Sequence, residues 1–210
     1  MAQYSRAAAP YLVAASLLLS RQLIAQRVFS TTIAEKEVAT ERINSRRDTL
    51  QSDATVPQLG IKMSARLFSL GGKPKILELT GESSRGPSQM RLVISDSSVL
   101  LTVGVSATSG ELKLLLNPTM PTLIFQNYLF SLIGSSLSSV KVEIGNPVKV
   151  QVVLPDNQIV QEWTLQRMGA HEYELSTATG LLIEVDLDGE HVAQMRVPAQ
   201  NLVYSAKKSP

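Results

Sequence analysis

Two histidines, a close pair of aspartates and a single tryptophan are the residues here best suited to chemistry. His171 stands in the run His171-Glu172-Tyr173-Glu174, beside carboxylates. On a strand, however, His171 and Glu172 point to opposite faces, so they cannot share a metal ion or a proton relay. Zinc sites normally draw on three or four ligands at a recognisable spacing, such as two histidines four apart on a helix. His171 and His191 are twenty residues apart, and the sequence contains no cysteine. Both read as ordinary surface or half-buried histidines, and no metal site is expected.

Asp186 and Asp188 occupy alternate positions and share a strand face, the arrangement of an acid/base pair or a calcium site. Asp188-Gly189 is also a favoured hairpin dipeptide, and turn chemistry accounts for it more simply. The run Gly81-Glu82-Ser83-Ser84-Arg85-Gly86 has the wrong spacing for a serine-hydrolase elbow and no helix behind it. Gly71-Gly72-Lys73-Pro74 looks like a phosphate cradle, but Pro74 removes a backbone donor. Trp163 suits a sugar-stacking platform or, more often for a lone strand tryptophan, a core position. The sequence therefore yields no catalytic residue, no cofactor motif and no metal ligand set, and the reading leans away from an enzyme.

Composition removes further classes. Net charge is +2, with no long basic block and few aromatic residues, so the basic stripe and stacking rings of a nucleic-acid binder are missing. The lack of cysteine excludes disulfides, thiolate nucleophiles and the acylated cysteine of a lipoprotein anchor within this sequence. At 210 residues the chain can bury a substantial core without such staples.

Residues 1–25 read as a signal or anchor segment. Arg6 is followed by the apolar stretch Ala7 to Leu19, and Leu23-Ile24-Ala25 offers a cleavage site before Gln26. This predicts export to the periplasm or the extracellular space, with N-terminal membrane association if the segment is retained. The alternative is a mitochondrial transit peptide, since the segment contains arginine and serine but no acidic residue. The stretch is shorter than the ~20 residues that a spanning helix needs.

Residues 26–205 read as one β-rich domain, followed by a tail over 206–210. Apolar residues alternate with polar ones in Ile61 to Leu67, Met90 to Ile94, Val148 to Leu154, Ile159 to Leu165 and Leu181 to Leu187. Turn residues recur every ~8–12 positions and leave no room for crossover helices. The fold class is mainly β: a single strongly curved antiparallel sheet, a half-barrel or open-barrel meander. The charged segment Glu35 to Leu50 could form an exposed helix; its β-branched flank favours strands. Thr122 to Leu137 predicts an apolar helix of about three turns, with Thr119 as cap, Pro121 in its first turn and Gly134 at its end. Being apolar nearly all round, it must be buried, and the concave face of the sheet is the place for it.

Several features occur together: the hairpin Thr32 to Glu41, the turn Gly72-Lys73-Pro74, the run Phe125-Gln126-Asn127-Tyr128-Leu129 and the ending Val185 to Pro198. In their order this chain resembles uncharacterised exported bacterial proteins built on curved antiparallel sheets, distantly like the periplasmic carriers of outer-membrane lipoproteins. The resemblance covers Val28 to Tyr204. It implies an open half-barrel with a helix across its hollow and a role in the cell envelope, and it transfers no catalytic residue.

A curved sheet with an apolar hollow points to a binding or scaffolding module that takes a lipid or a hydrophobic partner segment. Phe125, Tyr128, Leu129 and Trp163 are its expected ligand-binding residues. Two other classes stay open. One is a sugar- or ester-processing enzyme working through Asp186, His171 or His191. The other is a structural subunit that pairs through exposed sheet edges.

Overall fold

The computed structural model describes residues 26–84, 86–105 and 108–207. The expected signal or anchor segment, residues 1–25, lies outside them. In chain order the strands are β1 (Arg27–Ile33), β2 (Lys36–Arg46), β3 (Thr49–Val56), β4 (Ile61–Leu70), β5 (Lys73–Ser83), β6 (Gly86–Ile94), β7 (Ser98–Val105), β8 (Thr108–Leu115) and β9 (Thr122–Ile124). Helix α1 (Ser131–Leu137) follows, then β10 (Val148–Leu154), β11 (Ile159–Arg167), β12 (Glu172–Ser176), β13 (Leu182–Asp188), β14 (His191–Val197) and β15 (Leu202–Ala206). The fifteen strands of the described residues form one sheet, in the order β8-β7-β6-β5-β4-β3-β2-β1-β15-β14-β13-β12-β11-β10-β9. Strands adjacent in sequence are neighbours in the sheet except β8 and β9, which form its two edges, and β1 pairs with β15 to join the two halves. The predicted curved, open, mainly antiparallel sheet is the observed fold.

Turn chemistry fixes this meander. Ala34 and Glu35 both adopt positive φ, as do Gly71 and Gly72, giving two-residue hairpin loops whose twist matches the strands they join. Three other hairpins share one device. Val56-Pro57, Leu154-Pro155 and Val197-Pro198 each enter a single 3-10 turn, and Gly60, Gln158 and Asn201 leave it in the left-handed region. Each time the leaving residue's N–H donates to the proline carbonyl. Proline supplies the fixed φ that starts the turn, where its missing N–H is not needed.

Alternation places one apolar row after another on the concave side. Leu67, Leu77, Leu92 and Leu101 are cross-strand partners over β4 to β7, all fully buried. A second row runs Tyr173, Val185, Met195, Tyr204, Thr31 and Ala39, from β12 to β2. Each fully buried leucine contributes about 1.5–3 kcal/mol. The segment from Leu123 to Leu137 fills the middle of this hollow, and α1 touches β3, β5, β9 and β14.

Here the structure corrects the sequence reading in detail. The helix has two turns, not three, and starts after Phe130. Thr122–Ile124 is a strand that pairs parallel to β10, the one parallel neighbour among the described strands. Gly134 does not end the helix but lies inside it. A Cβ there would meet the Val192 nitrogen at 2.9 Å, so the glycine lets α1 lie directly on β14. The charged stretch after Glu35 is strand β2, as its β-branched flank suggested. At the other end, β15 reaches Ala206 and the Lys207 N–H bonds to the Val28 carbonyl, one residue past the expected start of the tail.

The loop from β8 to β9 must span the gap between the two sheet edges, and Gln151 of β10 holds it. Its side-chain oxygen accepts from the Asn117 N–H at 2.8 Å. Its amide donates to the Asn117 and Met120 carbonyls and to Thr122 Oγ1.

Candidate functional site: an aromatic-walled cleft

Filling of the hollow is incomplete. A cleft of about 530 Å³ remains beside β11 and β13, within the usual range for small-molecule sites. Its apolar wall comes from Phe125 and Phe130 before α1, Leu154 at the end of β10, Trp163 of β11 and Ile183 of β13. Leu181 and Leu202 extend that wall. Asn127, Asp156, Asn157, Gln161, Glu162 and Gln200 supply the polar groups. An apolar wall with a few uncharged and acidic groups suits an uncharged or cationic amphiphile better than an anion.

Local structure explains how the rings converge. The Leu129 N–H bonds to the Gln126 carbonyl, closing a turn whose Tyr128 holds a φ of 63°. A left-handed conformation costs a non-glycine residue about 1–2 kcal/mol, and the buried Leu129 and Phe130 that follow anchor the turn. Phe125 and Phe130 thereby face the same way, with centroids 5.9 Å apart, and Phe125 lies 5.6 Å from Trp163. Trp163 is buried, and its indole N–H donates to Gln161 Oε1 at 3.1 Å. From Phe130 the ring contacts continue to Tyr204 at 5.4 Å and on to Phe29, which stacks on Tyr204 at 4.9 Å.

Below this aromatic chain sits a buried carboxylate. Glu41 of β2 is 1% exposed and accepts from the Ser52 and Ser131 hydroxyls and, at 3.4 Å, from the Ser131 N–H. Burial pushes its carboxyl above the ordinary carboxylate range, and the hydroxyl partners pull it partly back. The Tyr204 hydroxyl faces this carboxylate without reaching a normal hydrogen bond, and burial with the nearby charge holds it protonated.

The four expected binding residues are thus placed differently. Phe125 and Trp163 meet in the cleft wall. Tyr128 touches Phe130 at 6.4 Å, outside the lining, and Leu129 is fully buried core. Phe130 and Glu41 were not singled out from the sequence. Glu41 was nonetheless detectable: Ala39, Glu41 and Ile43 share a strand face that is otherwise apolar.

The remaining candidates stay apart. His171 and His191 are separated by β13, and burial lowers the His191 imidazole pKa, helped by Arg27. Asp188 pairs with Arg27 at 3.0 Å and Asp186 approaches Arg196 at 4.0 Å, so each faces an arginine. Among the described residues no three histidine, aspartate or glutamate side chains are placed to hold a metal. A second cleft, of about 420 Å³, lies beside Lys73, Lys75 and Lys141, where Lys75 already faces Asp96 at 3.7 Å.

No protein-family model matches this chain, and no curated protein matches it either. Two solved structures do. A DUF1089 family protein from Pseudomonas aeruginosa superposes with a TM-score of 0.56 at 12% identity, over 77% of this chain and 90% of that one. A β-barrel-like protein of the domain of unknown function DUF1849 from Brucella abortus gives a TM-score of 0.49 at 8% identity, over 87% and 94%. The likeness to uncharacterised bacterial β-rich proteins therefore holds at the level of fold, and neither structure supports the further likeness to lipoprotein carriers.

Proposed function

We propose that this protein is a non-catalytic binding module that holds an apolar chain in the cleft walled by Phe125, Phe130 and Trp163. The ligand class is an amphiphile: an acyl chain, or a hydrophobic partner segment, with an uncharged or cationic polar end. The convergence of three rings on one cleft, in a chain with few aromatic residues, is the observation that carries this reading. Aromatic rings supply large apolar area at little entropic cost, and Asn127, Asn157, Gln161 and Gln200 at the cleft would orient the head. Phe125 is only half-buried and is the ring of the three with most room to move.

The place of action we propose is the bacterial cell envelope. The apolar N-terminal stretch supports it, as an export or anchoring segment. Native mass spectrometry of the gently purified protein tests the binding role. A co-purifying lipid-sized mass that Phe125→Asp abolishes is the expected result. A bare polypeptide mass, together with no uptake of added fatty alcohol or fatty amine, would refute it.

A further inference from the structure

The two edges of the sheet are unequal. β9 is three residues long, with Leu123 and Ile124 fully buried. Among the described residues β8, Thr108–Leu115, has β7 as its only ladder partner, approaches β11 without pairing with it, and exposes Gly110, Glu111, Leu112, Lys113 and Leu115. Leu112 is 39% and Leu115 77% exposed. A long edge with exposed leucines is a template for another strand.

We propose that β8 pairs antiparallel with β8 of a second copy of this chain, in the register that sets Leu112 opposite Leu112. The ladder itself selects this register. The Leu116 N–H bonds to the Ser97 carbonyl at 2.9 Å, while Ser98, opposite Leu115, gives its carbonyl to the Ser95 N–H. In an antiparallel ladder bonded and unbonded pairs alternate. Leu116, Leu114, Leu112 and Gly110 therefore bond inward to β7. Glu111, Lys113 and Leu115 turn their N–H and C=O groups to the open edge.

A two-fold pairing must match outward groups with outward groups. Among the central registers that do so, one sets Glu111 against Glu111 and another Lys113 against Lys113. The third sets Glu111 against Lys113 twice, with Leu112 on the axis. Only this register gives opposite charges across the seam, and like charges directly opposite are destabilising. It also lays Leu114 over Gly110, where no side chain competes. An edge lysine ordinarily blocks pairing; here the glutamate two residues away gives it a partner.

Sedimentation of the full chain over a concentration series tests this, with charge variants. The wild type forms a concentration-dependent dimer. Glu111→Lys and Lys113→Glu each weaken it roughly tenfold or more, and the double exchange E111K/K113E restores it. A cysteine at Leu112 gives the pairing an independent reading, because the sequence has no other. Facing Cα atoms in an unbonded pair lie about 4.5 Å apart, within disulfide reach. Leu112→Cys should then form a disulfide dimer under mild oxidation, and Lys113→Cys should not. A monomer at every concentration overturns the proposal. So does a dimer indifferent to all three charge variants, which would place the contact elsewhere, for example on the outer row Phe68, Ile76, Val93 and Leu100.

Discussion

Ser131, the first residue of α1, donates both its hydroxyl and its backbone N–H to Glu41, ninety residues earlier on β2. The helix is thus tied at its start to the floor of the hollow by a carboxylate whose partners are hydroxyls and one backbone N–H. Ionising Glu41 in that setting is unfavourable because water is excluded.

The pH dependence follows. The folded-state pKa of Glu41 lies above its unfolded value, so its contribution to stability is fully present below the ordinary carboxyl value of 4.5. That contribution is lost as pH rises through the folded pKa. Glu41→Gln keeps the shape and removes the titration. Urea denaturation across pH should show the wild type losing stability relative to Glu41→Gln as pH rises above about 4.5, with the two converging in their pH trend at lower pH.

His191 carries the opposite sign. Burial lowers its folded pKa below the ordinary value of 6.5. Its contribution to stability is present above 6.5 and lost as pH falls through the folded value. Replacing it with glutamine should flatten that part of the stability profile, read in the same denaturation series.

Alanine inside a helix normally stabilises by about 1 kcal/mol over glycine. At Gly134 the added Cβ would meet the backbone of Val192 at 2.9 Å and of Glu190 at 3.1 Å. Neither atom can swing aside. Gly134→Ala should therefore destabilise, by about 1–3 kcal/mol for overpacking less the helical gain, and thermal unfolding will show it as a lowered Tm.

Gln151 can be tested by reversing its donors. Gln151→Glu keeps the size but turns two oxygens toward the Asn117 and Met120 carbonyls, which accept from the amide. Gln151→Leu leaves the Asn117 N–H without its partner. A fully buried polar group left unpaired costs about 1–3 kcal/mol, and these part-buried bonds, with Asn117 itself exposed, put the loss at the low end of that range. Both variants should lower Tm, and amide exchange should speed up in the loop from Asn117 to Pro121.

The strands were legible because inward and outward residues alternate, as in Ile61 to Leu67 or Leu181 to Leu187, and because the glycine and proline turns punctuate them. Thr122 to Leu137 was harder. A run buried on every side has no periodicity, so a parallel strand, a turn and a two-turn helix look alike within it. What separates them is long-range: β10 recruits Thr122–Ile124, and Glu41 receives Ser131. The cleft was only half visible for the same reason. Trp163 and Phe125 stood out as large rings, but their meeting with Phe130 depends on the left-handed turn at Tyr128, which no glycine announces.

Trp163 is the sole tryptophan and lines the cleft, so it reports on occupancy directly. Titrating the protein with a fatty alcohol brominated along its chain should quench that fluorescence saturably, and Phe125→Asp should abolish the effect. Unchanged emission, or quenching that rises linearly without saturation and is equal in both proteins, would contradict an acyl-binding cleft.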